Sequence, residues 1–203
     1  MARVLILFAH PALQKSRVHR PLVSRVGERP GVTFHDLYEE YPDFLVDVER
    51  EKALLLEHDV VVFQHPFYWY GVPPLLKQWM DLVLQHGWAY GTGGNALHGK
   101  WLVPIVSAGG TEAAYCEAGH NRRTIRQYLV PIEQTANLCG MRFAPPWVVY
   151  GAHLLAPNEV ESLVPRYLEL LDWLEAGGLE GANLTHETLT VPAGGAALIE
   201  EGS

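Results

Sequence analysis

The sequence predicts an α/β protein built on a doubly wound, five-stranded parallel sheet with helices on both faces. Three short, continuous apolar runs at residues 4–8, 60–63 and 102–106 are typical of strands that are buried on both sides. Segments with helical spacing separate these runs, and such alternation favours right-handed crossover connections. Residues 32–34 and 147–150 are shorter candidates that complete the set of five strands.

Three helices between the strands have recognisable ends. Asp47 can cap a helix over residues 47–57, because its side chain can accept a hydrogen bond from a free backbone N–H group. Two prolines fit the first turn of a helix over residues 73–85, where no N–H group is needed. A further helix is predicted over residues 124–138, with Gly140 as its stop signal.

A last helix is predicted near the carboxyl end, where apolar residues recur at helical spacing over 160–174. Asn158 and Glu161 stand in the relation of a capping box at its start. Pro165 conflicts with this start, since a proline inside a helix costs about 3 kcal/mol. We therefore expect either a kink at Pro165 or a helix that begins near Ser162.

Length and composition predict one compact domain with an appendage. The 203 residues correspond to a single domain, which we place at residues 1–176. Residues 177–203 are rich in Gly, Ala, Thr and Glu without a periodic core, and are predicted to be a tail with one short strand around residues 189–191. With 48% apolar and 19% charged residues, the chain can bury a full core, which excludes intrinsic disorder.

Charge and cysteine content exclude several classes of protein. The net charge of -8 argues against a binder of nucleic acid, whose affinity depends on basic side chains. Two cysteines and the absence of a signal-like N-terminus predict a cytoplasmic protein, and no apolar run is long enough to span a membrane. No metal is predicted, since the histidines and cysteines lack the spacing of a metal site.

The loops after the buried strands are the predicted ligand site, because ligands of doubly wound sheets bind beyond the carboxyl ends of the strands. Residues 10–19 follow the first strand and precede a short helix. Ser16, Arg17 and His19 could hold an anion there, and cations at the N-terminal end of a helix are unfavourable unless an anion lies between them. A polar loop in which Ser16 caps the helix is the alternative.

Two further loops could form the other walls of this site. Residues 64–71 include four consecutive aromatic side chains, which must either fold onto the core or present a wall to a flat ligand. A packed hydrophobic corner and a dimer contact are the alternatives. Residues 107–111 contain paired glycines, which permit close approach of backbone amides to a ligand.

The central third of the chain resembles a known family. It reads F-Y-W-Y-G-V-P-P-L-L-K-Q-W-M-D-L-V-L at residues 67–84, H-G-W-A-Y-G at 86–91 and A-L-H-G-K at 96–100. These motifs resemble those of the flavodoxin-like NAD(P)H:quinone reductases, and most closely those of the bacterial ancillary oxidoreductases of glutathione-gated potassium-efflux systems. The resemblance covers about residues 4–173 and does not extend to the tail.

This resemblance implies a tightly bound FMN in the three loops. The family usually has Asn at the position of His19, so we expect phosphate binding to be more pH-dependent in this chain. The phosphate would contact His10, Ser16, Arg17, Val18 and His19. The flavin ring would contact Pro66, Phe67, Tyr68, Trp69 and Tyr70. The pyrimidine side of the ring would contact Ser107, Ala108, Gly109 and Gly110.

The resemblance also implies two catalytic residues, Tyr115 and His120, over the flavin. A phenol and an imidazole can donate a hydrogen bond or a proton to a quinone that gains oxyanion character on accepting hydride. The alternatives are that Tyr115 packs as an ordinary loop aromatic and that His120 is a solvated loop histidine. Cys116 is predicted to be a plain cysteine, since no resolving partner is adjacent.

The implied activity is a ping-pong, two-electron reduction in which NAD(P)H, a transient co-substrate, gives hydride to flavin N5 and a quinone then takes it. Family members are homodimers, and Trp88 and Tyr90 are candidates to complete the partner's site; a core-facing Trp88 is the alternative. The main alternative is a flavin-bound regulatory subunit that docks peripherally on the cytoplasmic face of a membrane potassium-efflux antiporter. A reductase of azo or nitro compounds is a further alternative.

Overall fold

The molecule is built around an all-parallel sheet of six strands, in a computed structural model that describes residues 1–27 and 29–191. The strands lie in the spatial order β2-β1-β3-β4, and β5 and β6 both pair with the far side of β4. They are β1 (Val4–Phe8), β2 (Val32–Asp36), β3 (Val60–Pro66), β4 (Trp101–Ser107), β5 (Arg142–Phe143) and β6 (Trp147–Val149).

The predicted parallel sheet is confirmed, but its fifth position holds two strands instead of one. The predicted strand at residues 147–150 is β6, whereas β5 was not predicted. Both pair with β4 along the same edge, and the adjacent prolines 145 and 146 separate them. Because proline has no N–H group to donate to a ladder, the two prolines interrupt the strand.

Seven helices of the described residues cover the two faces of the sheet. The predicted cap of α3 is confirmed, since the Asp47 carboxylate accepts a hydrogen bond from the N–H group of Arg50. The predicted proline start of α4 is also confirmed, at Pro74. The helices are α1 (His19–Val23), α2 (Leu37–Glu40), α3 (Val48–Glu57), α4 (Pro74–Val83), α5 (Ile125–Tyr128), α6 (Val130–Leu138) and α7 (Pro157–Glu175).

The predicted helix over residues 124–138 is two helices. Its start is right, because Thr124 and Gln127 form a reciprocal capping box at the beginning of α5. The helix breaks at Leu129, and α6 then carries Pro131 in its first turn. A proline in the interior of one continuous helix would lack an N–H donor and clash with the preceding turn, so the chain restarts the helix instead.

Both expected starts of α7 were wrong, and the alternative of a kink at Pro165 stays a prediction. The helix begins at Pro157, before the predicted box of Asn158 and Glu161, and well before Ser162. The carboxylate of Glu159 accepts the backbone N–H of Ala156, and Pro157 occupies the first turn. Pro165 lies inside the helix, which the burial of apolar residues along one face of α7 stabilises.

The strand residues divide between two cores. Leu5 and Leu7 of β1 pack on the side of α3, α4 and α6, whereas Val4, Ile6 and Phe8 pack on the side of α1 and α7. Both sets are buried, as expected for a strand with helices on both faces. The loops at the carboxyl ends of β1, β3 and β4 are thereby held at one rim of the sheet.

The described part of the predicted tail, residues 177–191, lies against the domain. Leu179 and Leu189 are buried on the α1 and α7 side, and Glu180 pairs with Arg142. The expected strand at residues 189–191 is not present; a single bond joins the Leu189 N–H to the Pro146 carbonyl at 2.9 Å. The division at residue 176 stays a prediction, and residues 192–203 lie outside the described part.

Candidate ligand-binding cleft

The loops after β1, β3 and β4 converge on one cleft of about 320 Å³, a size typical of small-molecule sites. Ten of the fourteen predicted cofactor contacts line it, together with three residues that were not predicted. The predicted ones are His10, Ser16, Arg17, Val18, Pro66, Phe67, Tyr68, Trp69, Ser107 and Gly109, and the others are Lys15, Ala152 and His153.

One end of the cleft is suited to an anion. Lys15 and Arg17 line it, and none of the lining residues is acidic although the chain carries a net charge of -8. The backbone N–H groups of Arg17 and Val18 donate no hydrogen bond to the described residues. Two cations and two amide groups without a described acceptor therefore belong to the lining of a site without a carboxylate.

Ser16 has a second role besides lining the cleft, since its hydroxyl accepts the N–H of His19 at 3.0 Å. Arg17 is likewise engaged: its guanidinium donates to the carbonyls of His153 at 2.7 Å and Leu155 at 2.5 Å. Arg17 thus ties the loop after β6 to the loop after β1. This fourth loop was missed, although the rule that led to the other three applies to every parallel strand.

The aromatic loop forms a tight turn between Tyr68 and Gly71. The N–H of Gly71 donates to the carbonyl of Tyr68, and the two central residues, Trp69 and Tyr70, have φ of 50° and 63°. Asn and Gly are the usual residues at such positions, because larger side chains are strained there. The turn nevertheless leaves the Trp69 ring 94% exposed at the cleft, which indicates a contact surface.

Replacing Trp69 by asparagine is expected to stabilise the fold and weaken the site. Asn tolerates positive φ, so the free energy of unfolding should rise by about 0.5–1 kcal/mol while ligand affinity falls. Urea unfolding and ligand titration measure the two effects. Leu45→Asn, another exposed apolar residue, should change neither, and a loss of stability in Trp69→Asn would show that the turn is not strained.

His19 lies behind the cleft instead of lining it. Only 1% of the side chain is exposed, and its Nε2 lies 2.9 Å from the Ser107 hydroxyl. Burial, reinforced by the neighbouring His10 and His65, lowers the pKa of His19 to about 3. Burial thus favours the uncharged imidazole in the neutral range, and the expected pH-dependent contact of His19 with a phosphate stays a prediction.

The third wall of the cleft comes from the turn after β4. Ser107 and Gly109 line the cleft, while Ala108 is buried and donates its N–H to the Val149 carbonyl at 2.8 Å. The N–H groups of Gly109 and Gly110 donate to no described residue. A side chain at Gly109 would meet the His153 ring at about 3.0 Å, so the bare backbone keeps this wall open.

Tyr115 and His120 have different environments. Tyr115 is 9% exposed and contacts the rings of Phe67, Tyr128 and Tyr150, and burial, with Tyr70 and Tyr128 nearby, raises the pKa of its phenol. His120 is exposed. Neither is among the residues that line the cleft, and their catalytic roles stay predictions.

Asn121 is a neighbour of the site that the sequence did not reveal. Its side-chain oxygen accepts the hydroxyl of Tyr70 at 3.2 Å, and its carbonyl accepts that of Tyr128 at 2.8 Å. This residue joins the loop after β4 to the aromatic turn. A polar residue in a long loop carries no sequence pattern that would have identified it.

The remaining candidates have ordinary surroundings. Trp88 and Tyr90 are partly buried against the core, and Lys52 lies over the Trp88 ring at 5.5 Å, so their role in a dimer stays a prediction. Cys116 is exposed and Cys139 buried, and both are free. In the described ranges no cluster of His, Cys, Asp or Glu has the arrangement of a metal site, and no helix has the length and apolar character to cross a bilayer.

The fold and the rim site together define a class, and the chain belongs to the family described as having a flavodoxin-like fold, whose model matches residues 2–172. It is similar to an uncharacterised NAD(P)H oxidoreductase, YrkL, of Bacillus subtilis, with 45% identity over 86% of this chain and 98% of the relative. It is also 45% identical to the glutathione-regulated potassium-efflux system ancillary protein KefG of Pectobacterium carotovorum, over 83% and 92% of the two chains.

Solved structures show the same likeness. The general stress protein 14 of Treponema denticola, solved in complex with FMN, is 39% identical with a TM-score of 0.80, and the match covers 85% of this chain and 99% of that one. An NADPH-quinone reductase of P. pentosaceus is 33% identical with a TM-score of 0.75, over 83% and 96% of the chains. The resemblance stated from the sequence motifs is confirmed.

Proposed function

We propose that this chain is an FMN-dependent NAD(P)H oxidoreductase whose electron acceptor is a quinone. The observation that carries the proposal is one cleft with a cationic end free of carboxylates and a wall of exposed aromatic rings. FMN has the matching halves, a phosphate and a flat ring. The FMN complex of the Treponema protein and the reductase names of the other relatives support the assignment.

The residues present fit this cofactor. Lys15 and the N–H groups of Arg17 and Val18 are free donors for the phosphate. Tyr68 and Trp69 would cover the ring, and the N–H group of Gly109, which donates to no described residue, is available at the wall that follows β4. These amide groups donate to no described residue, so each can donate to a ligand in place of water.

Bound FMN would supply two-electron chemistry: hydride from NAD(P)H, with a proton from solvent, would reduce a quinone to the hydroquinone and leave NAD(P)⁺. The chain's own contribution is to orient the reactants and to stabilise charge. Amide donors beside the ring would favour the negative charge of its reduced form. Tyr115 would donate a hydrogen bond from its phenol, which the raised pKa keeps protonated, to the acceptor oxygen.

The test is the absorbance of the purified protein. We expect a yellow chain that releases FMN on denaturation and that oxidises NADH or NADPH when a benzoquinone is present. FMN should bind more tightly than riboflavin, and Lys15→Gln should reduce that preference. Lys77→Gln, which removes a lysine paired with Asp81 outside the cleft, is the matched control. A colourless protein that takes up no FMN in titration would refute the proposal.

Replacement of Tyr115 by phenylalanine is expected to slow reduction of the quinone by about 100-fold and to leave reduction of the flavin by NAD(P)H unchanged. Stopped-flow measurements separate the two half-reactions. Tyr128→Phe is the control, because that hydroxyl donates to the Asn121 carbonyl. Equal rates of quinone reduction in the wild type and Tyr115→Phe would remove the proposed role.

A second candidate function is that of a flavin-bound ancillary subunit of a potassium-efflux antiporter. The observation that favours it is the 45% identity to KefG over 92% of that protein. Both functions use the same cleft, so the discriminating measurement is turnover. Flavin binding without NAD(P)H oxidation, together with binding to such an antiporter in membranes, would favour the ancillary function over the enzyme.

A further inference from the structure

A line of buried polar side chains leads from α7 to the cleft. It begins at Tyr167, whose hydroxyl lies 2.8 Å from the Gln64 side-chain oxygen. The Gln64 nitrogen lies 3.4 Å from Nδ1 of His19, and Nε2 of His19 lies 2.9 Å from the Ser107 hydroxyl. Tyr167 and Gln64 are fully buried, His19 nearly so, and only Ser107 reaches the cleft.

With the Gln64 oxygen as the acceptor of the Tyr167 hydroxyl, one set of hydrogen-bond directions is consistent along the whole line. The Gln64 oxygen accepts from Tyr167, so its amide nitrogen, which can only donate, faces Nδ1 of His19. Nδ1 is therefore the acceptor and Nε2 carries the hydrogen of the neutral imidazole. Nε2–H then donates to the Ser107 oxygen, which leaves the hydroxyl hydrogen of Ser107 free to donate elsewhere.

We propose that His19 is a positioning residue that holds Ser107 as a hydrogen-bond donor to the flavin in the cleft. This inference rests on the proposed function for the identity of the ligand. An accepted bond from His19 fills one side of the Ser107 oxygen and polarises its O–H bond, as in other chains of aligned hydrogen bonds. A donor next to the ring stabilises the reduced flavin more than the oxidised one, because the reduced ring carries more negative charge.

The neutrality of His19 is part of this arrangement. A protonated imidazole would carry a hydrogen on Nδ1, which would then face the hydrogens of the Gln64 amide nitrogen. The hydrogen bond between Gln64 and His19 would be lost. The buried histidines nearest to His19 are His10 and His65, whose charges oppose its protonation; the hydrogen bond to the His65 backbone carbonyl favours protonation, but burial outweighs it. His10 accepts the Ala12 N–H at Nδ1, 3.1 Å away, so it is a neutral neighbour with its own partner.

Two neutral amide substitutions separate positioning from simple packing. In His19→Gln, the amide nitrogen can reach the place of Nε2 and still donate to Ser107. In His19→Asn, the shorter side chain reaches only the place of Nδ1, so the bond to Gln64 can form and the bond to Ser107 cannot. Ser107→Ala removes the hydroxyl itself and serves as the second arm of a double-mutant cycle.

For His19→Asn we expect FMN affinity to fall by about threefold to tenfold, more for the reduced than for the oxidised flavin, so that the midpoint potential becomes more negative. His19→Gln should restore both values. In the Ser107→Ala background, His19→Asn should have no further effect. Wild-type affinity and potential in His19→Asn, or effects of the two substitutions that simply add, would overturn the proposal.

A second measurement does not need the flavin. In ¹⁵N-histidine NMR of the flavin-free full chain, His19 should be the neutral Nε2–H tautomer and should not titrate between pH 5 and pH 8. A protonated His19 or an Nδ1–H tautomer would overturn the proposal even if FMN binds. If the wild type binds no FMN while His19 has the expected tautomer, the proposed function fails and the buried line is structural only.

Discussion

Replacement of Glu51 by alanine is expected to lower the free energy of unfolding by about 3–5 kcal/mol. The Glu51 carboxylate is fully buried and accepts hydrogen bonds from His35 at 2.8 Å, Tyr41 at 2.5 Å and Trp79 at 2.7 Å. Burial opposes its ionisation, yet these bonds hold the pKa of the carboxyl below its usual value. Its removal leaves three buried donors without a partner, each of which is costly.

Urea or thermal unfolding, with circular dichroism as the signal, measures this loss. Glu49→Ala is the matched control on the same helix, since the Glu49 side chain is 82% exposed and its ion pair with Lys52 contributes little. Glu51→Gln should lose less than Glu51→Ala, because an amide oxygen in the place of Oε1 can still accept from both His35 and Tyr41. Equal stability of Glu51→Ala and Glu49→Ala would show that the buried cluster does not stabilise the fold.

Acidification from pH 7 to pH 5 is expected to lower the free energy of unfolding by about 2 kcal/mol for each of His19 and His65. Burial lowers the pKa of His19 to about 3 and that of His65 to about 4, whereas both are near 6.5 in the unfolded chain. The unfolded chain therefore binds more protons in this range. Stability is fully present above about pH 6.5 and declines as the pH falls towards the folded values.

Urea unfolding of the flavin-free chain at the two pH values measures this dependence. His10 and His58, whose pKa values burial also lowers, add to it in the same direction. Replacing His65 by asparagine should remove about 2 kcal/mol of the change. A pH profile of His65→Asn equal to that of the wild type would contradict the assignment.

Much of the site follows from local pattern. The run Val4–Phe8 predicts a buried strand, and parallel strands place their following loops at one rim, so the cleft residues after β1, β3 and β4 could be anticipated. The four consecutive aromatic residues predicted the aromatic wall, but nothing in the sequence predicted the backbone strain of the turn. Positive φ at Trp69 and Tyr70 depends on how the turn closes between Tyr68 and Gly71.

Other features depend on contacts between segments that are far apart in sequence. In the sequence, Glu51 looks like an ordinary charged residue of a helix. Its hydrogen bonds with His35 and Trp79, which are distant in sequence, show that it is a buried acceptor. The loop that contains His153 lies at the site because the Arg17 guanidinium donates to the backbone carbonyls of His153 and Leu155. No periodicity in either segment indicates such a pair, since each partner contributes a single polar group.

Local sequence patterns were sufficient to predict the parallel sheet, the positions of most helices and the rim where a ligand binds, because residue periodicity and the ends of strands and helices are properties of short segments. The protonation and the hydrogen-bond directions of the buried polar groups instead depend on packing between distant segments. His19 shows the difference: its sequence position predicts a titrating contact for an anion, whereas its burial between Gln64 and Ser107 makes it a neutral donor. Desolvation by the whole fold, and not the neighbouring residues in the chain, sets that state.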